Sequence, residues 1–452
     1  MRIGVRLGAS GAEGALVHSG RALAAAGRAE GGWRALSALL RELTAAAKST
    51  VDSVTWNVGE LLEHSLRAVG SPGLPPMAFT VRPATPVAAL QVLPRPPRAP
   101  GHPSPLVRSL VAWRGVITGG HDLFGAELTP VDLDAAVRAA AEARAAGLGT
   151  LTITATGAAT CVGHEEAVAA RLREEFPDLR IRLSNDGGGL GLLERDATTI
   201  VNAALLGAAE ELIERCERLT AALPGPPSCW FATGDGGRVS AKRLRAVPVR
   251  GVGADAATAL TGAAVLTHRP DAHVVLAGIG LVALGQVADG MPRIASDLAG
   301  RLGVRMVPPI PVLNVRTDEG VPAVTAELRS LVGPRVIAAM GPQGRDVADR
   351  LCTEIGPDLV PVRSEAHPCA VGAACAEPSA WLDVVVPADT LDELQRQQHL
   401  AEQQAMTLVA ASGARPGSER VVSSVATALA FLGRDAYRLH VRAGSLPEEV
   451  PR

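Results

Sequence analysis

The chain has 452 residues, 47% of them hydrophobic but only 2% aromatic, so its interior must be closed by Ala, Val and Leu rather than by large rings. That length exceeds what one hydrophobic core supports and implies two or three lobes. With 44 basic and 46 acidic residues the net charge is −2, which excludes the one-signed field that draws in nucleic acid or an anionic bilayer.

RIGVRLGASG opens the chain as a short strand entering a glycine turn, and AEGALVHSGRALAAAGR supplies a second strand, a hairpin-like beginning. The segment lacks the basic region and apolar run of a secretory leader, so a cytoplasmic location is expected. Leucines at helical spacing predict a helix over 35–47, followed by a strand at 51–56 and a helix at 60–68. The prolines of 71–105, ending in LPRPPRAPGHPSP, remove amide donors and fix φ, so a linker without regular structure is expected. Order returns with VRSLVAWRGVI, and TGGHDLFGAELTP is rich in turn residues. Thr129 or Asp132 is the candidate cap of a helix reaching 146, stopped by Gly147, and GTLTITA (149–155) reads as a buried strand. A second amphipathic helix over 164–176 and a strand over 179–183 repeat the unit, which predicts a sheet with crossover helices.

A long helix follows over 196–223, closed by PGPP, and short strands with glycine turns are expected over 229–293. The last third alternates again: strand 335–339, helices 345–355 and 391–411, and a closing strand at 437–441. Within 391–411, QRQQHLAEQQAM reads as a solvated face with Leu400 and Met406 on its apolar side. No apolar run reaches about 20 residues, so no membrane span is expected, and no internal repeat of fixed period is visible. The six cysteines, at 161, 216, 229, 352, 369 and 375, form no Cys-x-x-Cys pair and no zinc spacing with His, and read as reduced, mostly buried thiols.

Three stretches carry a family resemblance: GGHDLFGAELTPVDLDA (119–135), GAATCVGHEEAVAARLREEFP (157–177) and LSNDGGGLGLLERDATTIVNAAL (183–205). FATGDGGRVSAKRLRAVPV (231–249) and VADGMPR (287–293) follow in the same order. Together they resemble the A-type subunit of the hydantoinase/oxoprolinase family, the N-methylhydantoinase A and 5-oxoprolinase type. The resemblance implies an α/β fold of two actin-like, sugar-kinase-like lobes of ribonuclease H-like architecture, clasping Mg-ATP between two phosphate-binding hairpins. It implies ATP-dependent opening of a cyclic amide such as a hydantoin, 5-oxoproline or lactam. It also implies a homo-oligomer, or a hetero-oligomer with a related hydantoinase subunit. The expected division is an N-terminal lobe at 1–182, an A-type lobe at 183–380 shortened after about 320, and a C-terminal helix and closing strand at 381–452.

The residues depart from that family where phosphate would bind. Its first loop reads roughly Asp-x-Gly-Gly-Thr-x-Thr-Asp, whereas this chain has Arg6, Gly8, Ala9, Ser10, Ala12 and Glu13, leaving only Gly8 and Ser10 serviceable. Its second loop corresponds to Leu276, Gly278, Ile279, Gly280, Leu281, Val282 and Ala283, without carboxylate or hydroxyl, and a Gly-Thr-Thr turn is replaced by Asn57, Val58 and Gly59. The adenosine-side glycines remain as Gly341 and Gly344. The candidate nucleotide-binding residues are therefore Gly8, Ser10, Gly278, Gly280, Gly341 and Gly344. Candidate catalytic residues are His121, Asp122 and His164, which could bind a divalent metal or polarise a cyclic-amide carbonyl. The competing structural readings are a turn at Asp122 and a helix start at His164–Glu165. The turns at Asp186 and Asp235, and the Glu194–Arg195 pair, read as structural. A catalytically impaired subunit acting with a partner is the expected function, with an active cyclic-amide hydrolase of altered ATP dependence as the alternative.

Overall fold

The computed structural model describes the chain except residues 30, 71–72, 76, 96, 98–100, 279–280, 318–320, 341–342, 431, 433–434 and 446–452. The first 28 residues build an antiparallel meander, β1 (Arg2–Gly8), β2 (Gly11–His18) and β3 (Arg21–Arg28), rather than a single hairpin. Leu36, Leu39, Leu40 and Leu43, spaced for one helical face, seat α1 (Gly32–Ala45) in the core of this sheet. The chain returns as β4 (Ser53–Asn57), parallel to β1, and continues into α2 (Gly59–Gly70).

An inserted unit follows: β5 (Val87–Leu93), α3 (Pro105–Leu110), β6 (Val111–Thr118), α4 (Leu133–Ala145), β7 (Thr150–Ala155), α5 (Gly163–Glu175) and β8 (Arg180–Leu183). Its four strands are all parallel, in the order β6-β5-β7-β8. Strand β5 corrects the reading of 71–105 as a linker. Its residues VAALQVL are all buried, with Pro86 and Pro94 flanking it. A central parallel strand is covered on both faces and shows no alternation, so proline density masks it. Asp132 caps α4, its carboxylate accepting the Ala135 amide at 2.8 Å.

The 30-residue helix α6 (Leu192–Ala221), about 45 Å long, buries Ala197, Ile200 and Val201 in the core that contains Leu7 and Trp56. Strands β9 (Ser228–Ala232) and β10 (Arg238–Ser240) complete the first sheet as β10-β9-β4-β1-β2-β3. A division at residue 183 therefore does not separate the sheets; the first one closes only at residue 240. The next segment, expected as short strands, contains helices α7 (Ala241–Ala246) and α8 (Ala254–Thr267). In α8 the run from Ala257 to Ala264 is buried on every side, so small residues occupy the whole circumference and no amphipathic stripe marks it.

The second sheet begins with the hairpin β11 (Ala272–Ala277) and β12 (Leu281–Ala288), extended by β13 (Met291–Pro292). A small pair, β14 (Ile294–Ala295) with β15 (Ile310–Pro311), stands beside it. Then come β16 (Asn314–Thr317), α9 (Val321–Ser330), β17 (Arg335–Ala339), α10 (Gln343–Ile355) and β18 (Leu359–Val362). The order β16-β12-β11-β17-β18 repeats β3-β2-β1-β4-β9 strand for strand, with the same directions. Two copies of one topology share no sequence period.

Helix α11 (Pro368–Cys375) returns to the first sheet and crosses α8 with backbones in contact. A Cβ on Gly262 would lie 1.8 Å from the Pro368 carbonyl oxygen, and one on Gly372 would lie 1.9 Å from that of Thr258. The C-terminal unit is a separate antiparallel sheet, β19 (Ser379–Pro387), β20 (Glu419–Ala428) and β21 (Ala436–Ser445), ordered β19-β21-β20 and covered by α12 (Leu391–Ala411). The buried face of α12 is Ala401, Ala405 and Val409, with Met406 beside it. Leu400, expected on that side, is 57% exposed.

Candidate functional site

Two places concentrate polar groups. The first is the turn of the β1–β2 hairpin. Arg6 near the end of β1 is largely buried and donates from Nε to Asp255 at 2.6 Å, from Nη2 to Glu60 at 2.5 Å and from Nη1 to Glu13 at 3.2 Å. These carboxylates come from the first turn of α8, the first turn of α2 and the paired strand β2. Burial alone would lower the Arg6 pKa; Asp255 foremost, then Glu13 and Glu60, hold it well above its usual value. Glu60 is pushed up by burial against the opposing pull of Arg6, and buried Glu63 is pushed up for the same reason.

Gly8 makes room for this ion pair. A Cβ there would lie 2.8 Å from both the Arg6 guanidinium carbon and Glu60 Oε2. The Glu60 carboxylate thus lies against the backbone where an incoming anion would have to approach, and the Ala9 amide favours its ionised form. Ser10 stays exposed at the tip of the turn. Asn57, buried, accepts the Gly59 amide at 3.0 Å and donates to Thr258 at 2.8 Å, tying β4 to α8 instead of presenting donors outward.

The second hairpin closes with the Gly278 amide donating to the Leu281 carbonyl at 2.9 Å. Gly344 serves packing: a Cβ would lie 2.0 Å from the Ala277 carbonyl oxygen, so the glycine lets α10 rest on the end of β11. Gly280 and Gly341 lie outside the described residues.

The second polar place is the inserted parallel sheet. Chain order runs from β5 outward to β6 and then back across to β7, so the carboxyl ends of β5 and β7 form a switch point, where open α/β sheets bind ligands. The loop after β6 is stitched there: the Gly119 amide donates to Leu93 at 3.1 Å and the His121 amide to Thr156 at 3.0 Å. His121, Asp122 and His164 converge at this point. The imidazoles of His121 and His164 have centroids 4.0 Å apart. His164 Nδ1 accepts the Gly120 amide at 2.7 Å, which places the proton on Nε2, facing Glu127 Oε1 at 3.0 Å. His121 is 7% exposed, and its buried Nδ1 has no partner among the described residues. Burial, then the neighbouring His164, holds the His121 pKa below its ordinary value.

Asp122 builds the loop, its carboxylate accepting the Phe124 and Ala126 amides at 2.8 and 2.9 Å. Glu165 is structural: it accepts the Ala155 amide at 2.8 Å, the Ser184 hydroxyl at 2.5 Å and the Asn185 amide at 3.1 Å. Arg195, fully buried, donates to the Ala155 and Leu190 carbonyls, and so joins α6 to this sheet. Asp235, held below its ordinary range despite burial by Arg250, Arg442 and two hydroxyls, accepts from Ser379 at 2.6 Å and links the first sheet to the C-terminal one. No group of three or more His, Cys, Asp or Glu is placed to hold a metal among the described residues.

No family model and no curated protein sequence matches the chain. Solved structures do. ATP-dependent caprolactamase from Pseudomonas jessenii superposes with a TM-score of 0.73 at 14% identity, over 98% of this chain and 87% of that one. Acetone carboxylase, in its nucleotide-free structure, superposes with a TM-score of 0.65 at 11% identity, over 100% of this chain and 88% of that one. The chain has their fold. The expected α/β, actin-like architecture is therefore present, and the repeated 3-2-1-4-5 strand order is its signature here. Within this caprolactamase-like fold, sequence reasoning found Arg6 and Glu13 but missed Glu60 and Asp255. Asp255 had a signal: one carboxylate inside the small-residue run GADAATAL must be paired once that run is buried. No helix among the described residues is long and apolar enough to cross a membrane.

Proposed function

We propose that the chain is a hydantoinase/oxoprolinase-family subunit that has lost ATP-dependent chemistry and acts in the cytoplasm with a partner, either a second copy or an intact subunit of the same class. One observation carries the reading: the first hairpin is filled by the protein's own charges, Glu60 against Gly8 and Arg6 held by Glu13, Glu60 and Asp255. A nucleotide phosphate brought there would meet carboxylates at the very backbone that should cradle it, and the cation that could offset them is already paired. Mg-ATP does not fit these residues, and no step is assigned to it. The fold shared with ATP-dependent caprolactamase and the motifs at 119–135, 157–177 and 183–205 support the family assignment. The test is ATP hydrolysis by the purified chain with and without hydantoin, 5-oxoproline and caprolactam. The reading expects no substrate-stimulated turnover, and turnover at ordinary enzyme rates would overturn it.

A second reading rests on the buried His121 Nδ1 at the switch point, which has no partner among the described residues. It makes the chain a cyclic-amide hydrolase in which His121, positioned beside His164 and the Asp122 loop, hydrogen-bonds the amide without nucleotide. Ring opening of a lactam in the absence of ATP, abolished in His121→Gln, would favour it over the first reading.

A further inference from the structure

A cavity of about 600 Å³ lies at the opposite end of β1 from the Gly8 turn. Seven strand residues separate the two ends by about 20 Å, and none of the lining residues belongs to either polar place above. It is bounded by the first sheet, the ends of α8 and α11, the β12–β13 turn and the C-terminal sheet, so all four share one space. Its size is that of a small-molecule site.

The lining divides by chemistry. Val17, Val265, Met291 and Ala374 supply apolar surface. Arg2 is committed to Glu377, which also pairs with Arg238, so these three groups carry one net positive charge. Arg420, at the start of β20, has no carboxylate partner among the described residues, and its buried Nε has no hydrogen-bond partner. Asp52, paired with the Met1 ammonium at 2.6 Å, and Asp289 are the other lining carboxylates. A guanidinium is always charged, and its planar fork matches a carboxylate in geometry. A shielded Arg420 beside an apolar cavity is therefore a group waiting for an anion whose remainder is hydrocarbon.

We propose that this cavity binds a small aliphatic carboxylate, its carboxylate paired with Arg420 and its chain against Val17, Val265 and Met291. Because the ligand would touch the first sheet, the α8–α11 pair and the C-terminal sheet together, its binding stabilises the arrangement of the three. The inference stands independently of the reading of the Arg6 cluster.

Calorimetry on the full chain tests it, with hexanoate as the probe and hexylamine and 1-hexanol as matched controls. Hexanoate should bind, and the amine and alcohol should bind at least about tenfold more weakly. Arg420→Gln should weaken hexanoate about tenfold or more, and Val265→Trp, which fills the cavity without touching the charge, should do the same. Circular dichroism of both variants establishes that they are folded, and hexanoate at a concentration that saturates the parent chain should raise its melting temperature more than that of either variant. Absence of hexanoate binding at millimolar concentration, equal binding of the amine, or unchanged affinity in folded Arg420→Gln would overturn the proposal.

Discussion

Replacing Arg6 with Met removes the cation set among Glu13, Glu60 and Asp255 while keeping its length and apolar stem. The Arg6 side chain is 15% exposed and that of Asp255 11%, so the charge left behind is poorly hydrated. At an effective dielectric of about 20, one ion pair at contact distance is worth about 4 kcal/mol, and deleting one partner of a buried pair costs about 3–5 kcal/mol. Glu13 and Glu60 retain side-chain exposures of 21% and 23%, which puts the expected loss at the lower end, about 3 kcal/mol. The loss also depends on pH. Without Arg6 the Glu60 carboxyl, already raised by burial, rises further, so the folded chain binds a proton that the unfolded chain releases. The penalty is therefore largest at neutral pH and disappears as pH falls towards the ordinary carboxyl value of 4.5. Urea denaturation followed by circular dichroism at neutral pH and near pH 5 measures both effects. A loss below about 1 kcal/mol, as for solvated surface pairs, or a loss unchanged with pH, would refute the reasoning. Arg6→Met combined with Glu60→Leu should recover part of the loss, because an uncharged replacement avoids the stranded carboxylate.

Gly262→Ala should cost at least about 3 kcal/mol, beyond ordinary overpacking, because its methyl would meet the Pro368 carbonyl oxygen at 1.8 Å; a melting temperature within a degree or two of the parent would contradict a backbone-contact crossing of α8 and α11. His121→Gln should flatten the acid limb of stability. The folded chain holds His121 below its ordinary value of 6.5, so stability falls as pH drops through that value and is fully present above it. Removing the group removes up to about 1.4 kcal/mol per pH unit from the slope as pH falls below 6.5, and an unchanged slope would show that His121 is solvated.

Elements with a one-sided apolar stripe or a clear stop were legible in the sequence. The strand at 335–339 and the helix at 391–411 coincide with β17 and α12, and α5, closed before Pro177, lies within a residue of its expectation. Burial on all sides hid two others, although β7 and β17, equally buried, were read from their Val, Ile and Thr. Strand β5 hid among prolines, and α8 hid because Ala, Thr and Gly around its whole surface carry no periodicity. The sheet duplication was invisible because topology is conserved by strand direction and pairing, not by residue identity. The convergence of His121, Asp122 and His164 follows from loops that the recognised strands bring together. The charge cluster was half legible: Arg6 and Glu13 lie on one hairpin, but Glu60 and Asp255 stand 54 and 249 residues from Arg6 and meet it only once β1, α2 and α8 are packed.

Titration calorimetry of ATP and ADP against the purified chain, with and without Mg²⁺, tests most directly whether its own side chains have taken over the first phosphate loop. The account predicts no binding up to millimolar nucleotide under either condition. Micromolar binding, strengthened by Mg²⁺, would mean that Glu60 and Arg6 yield to phosphate and would contradict it.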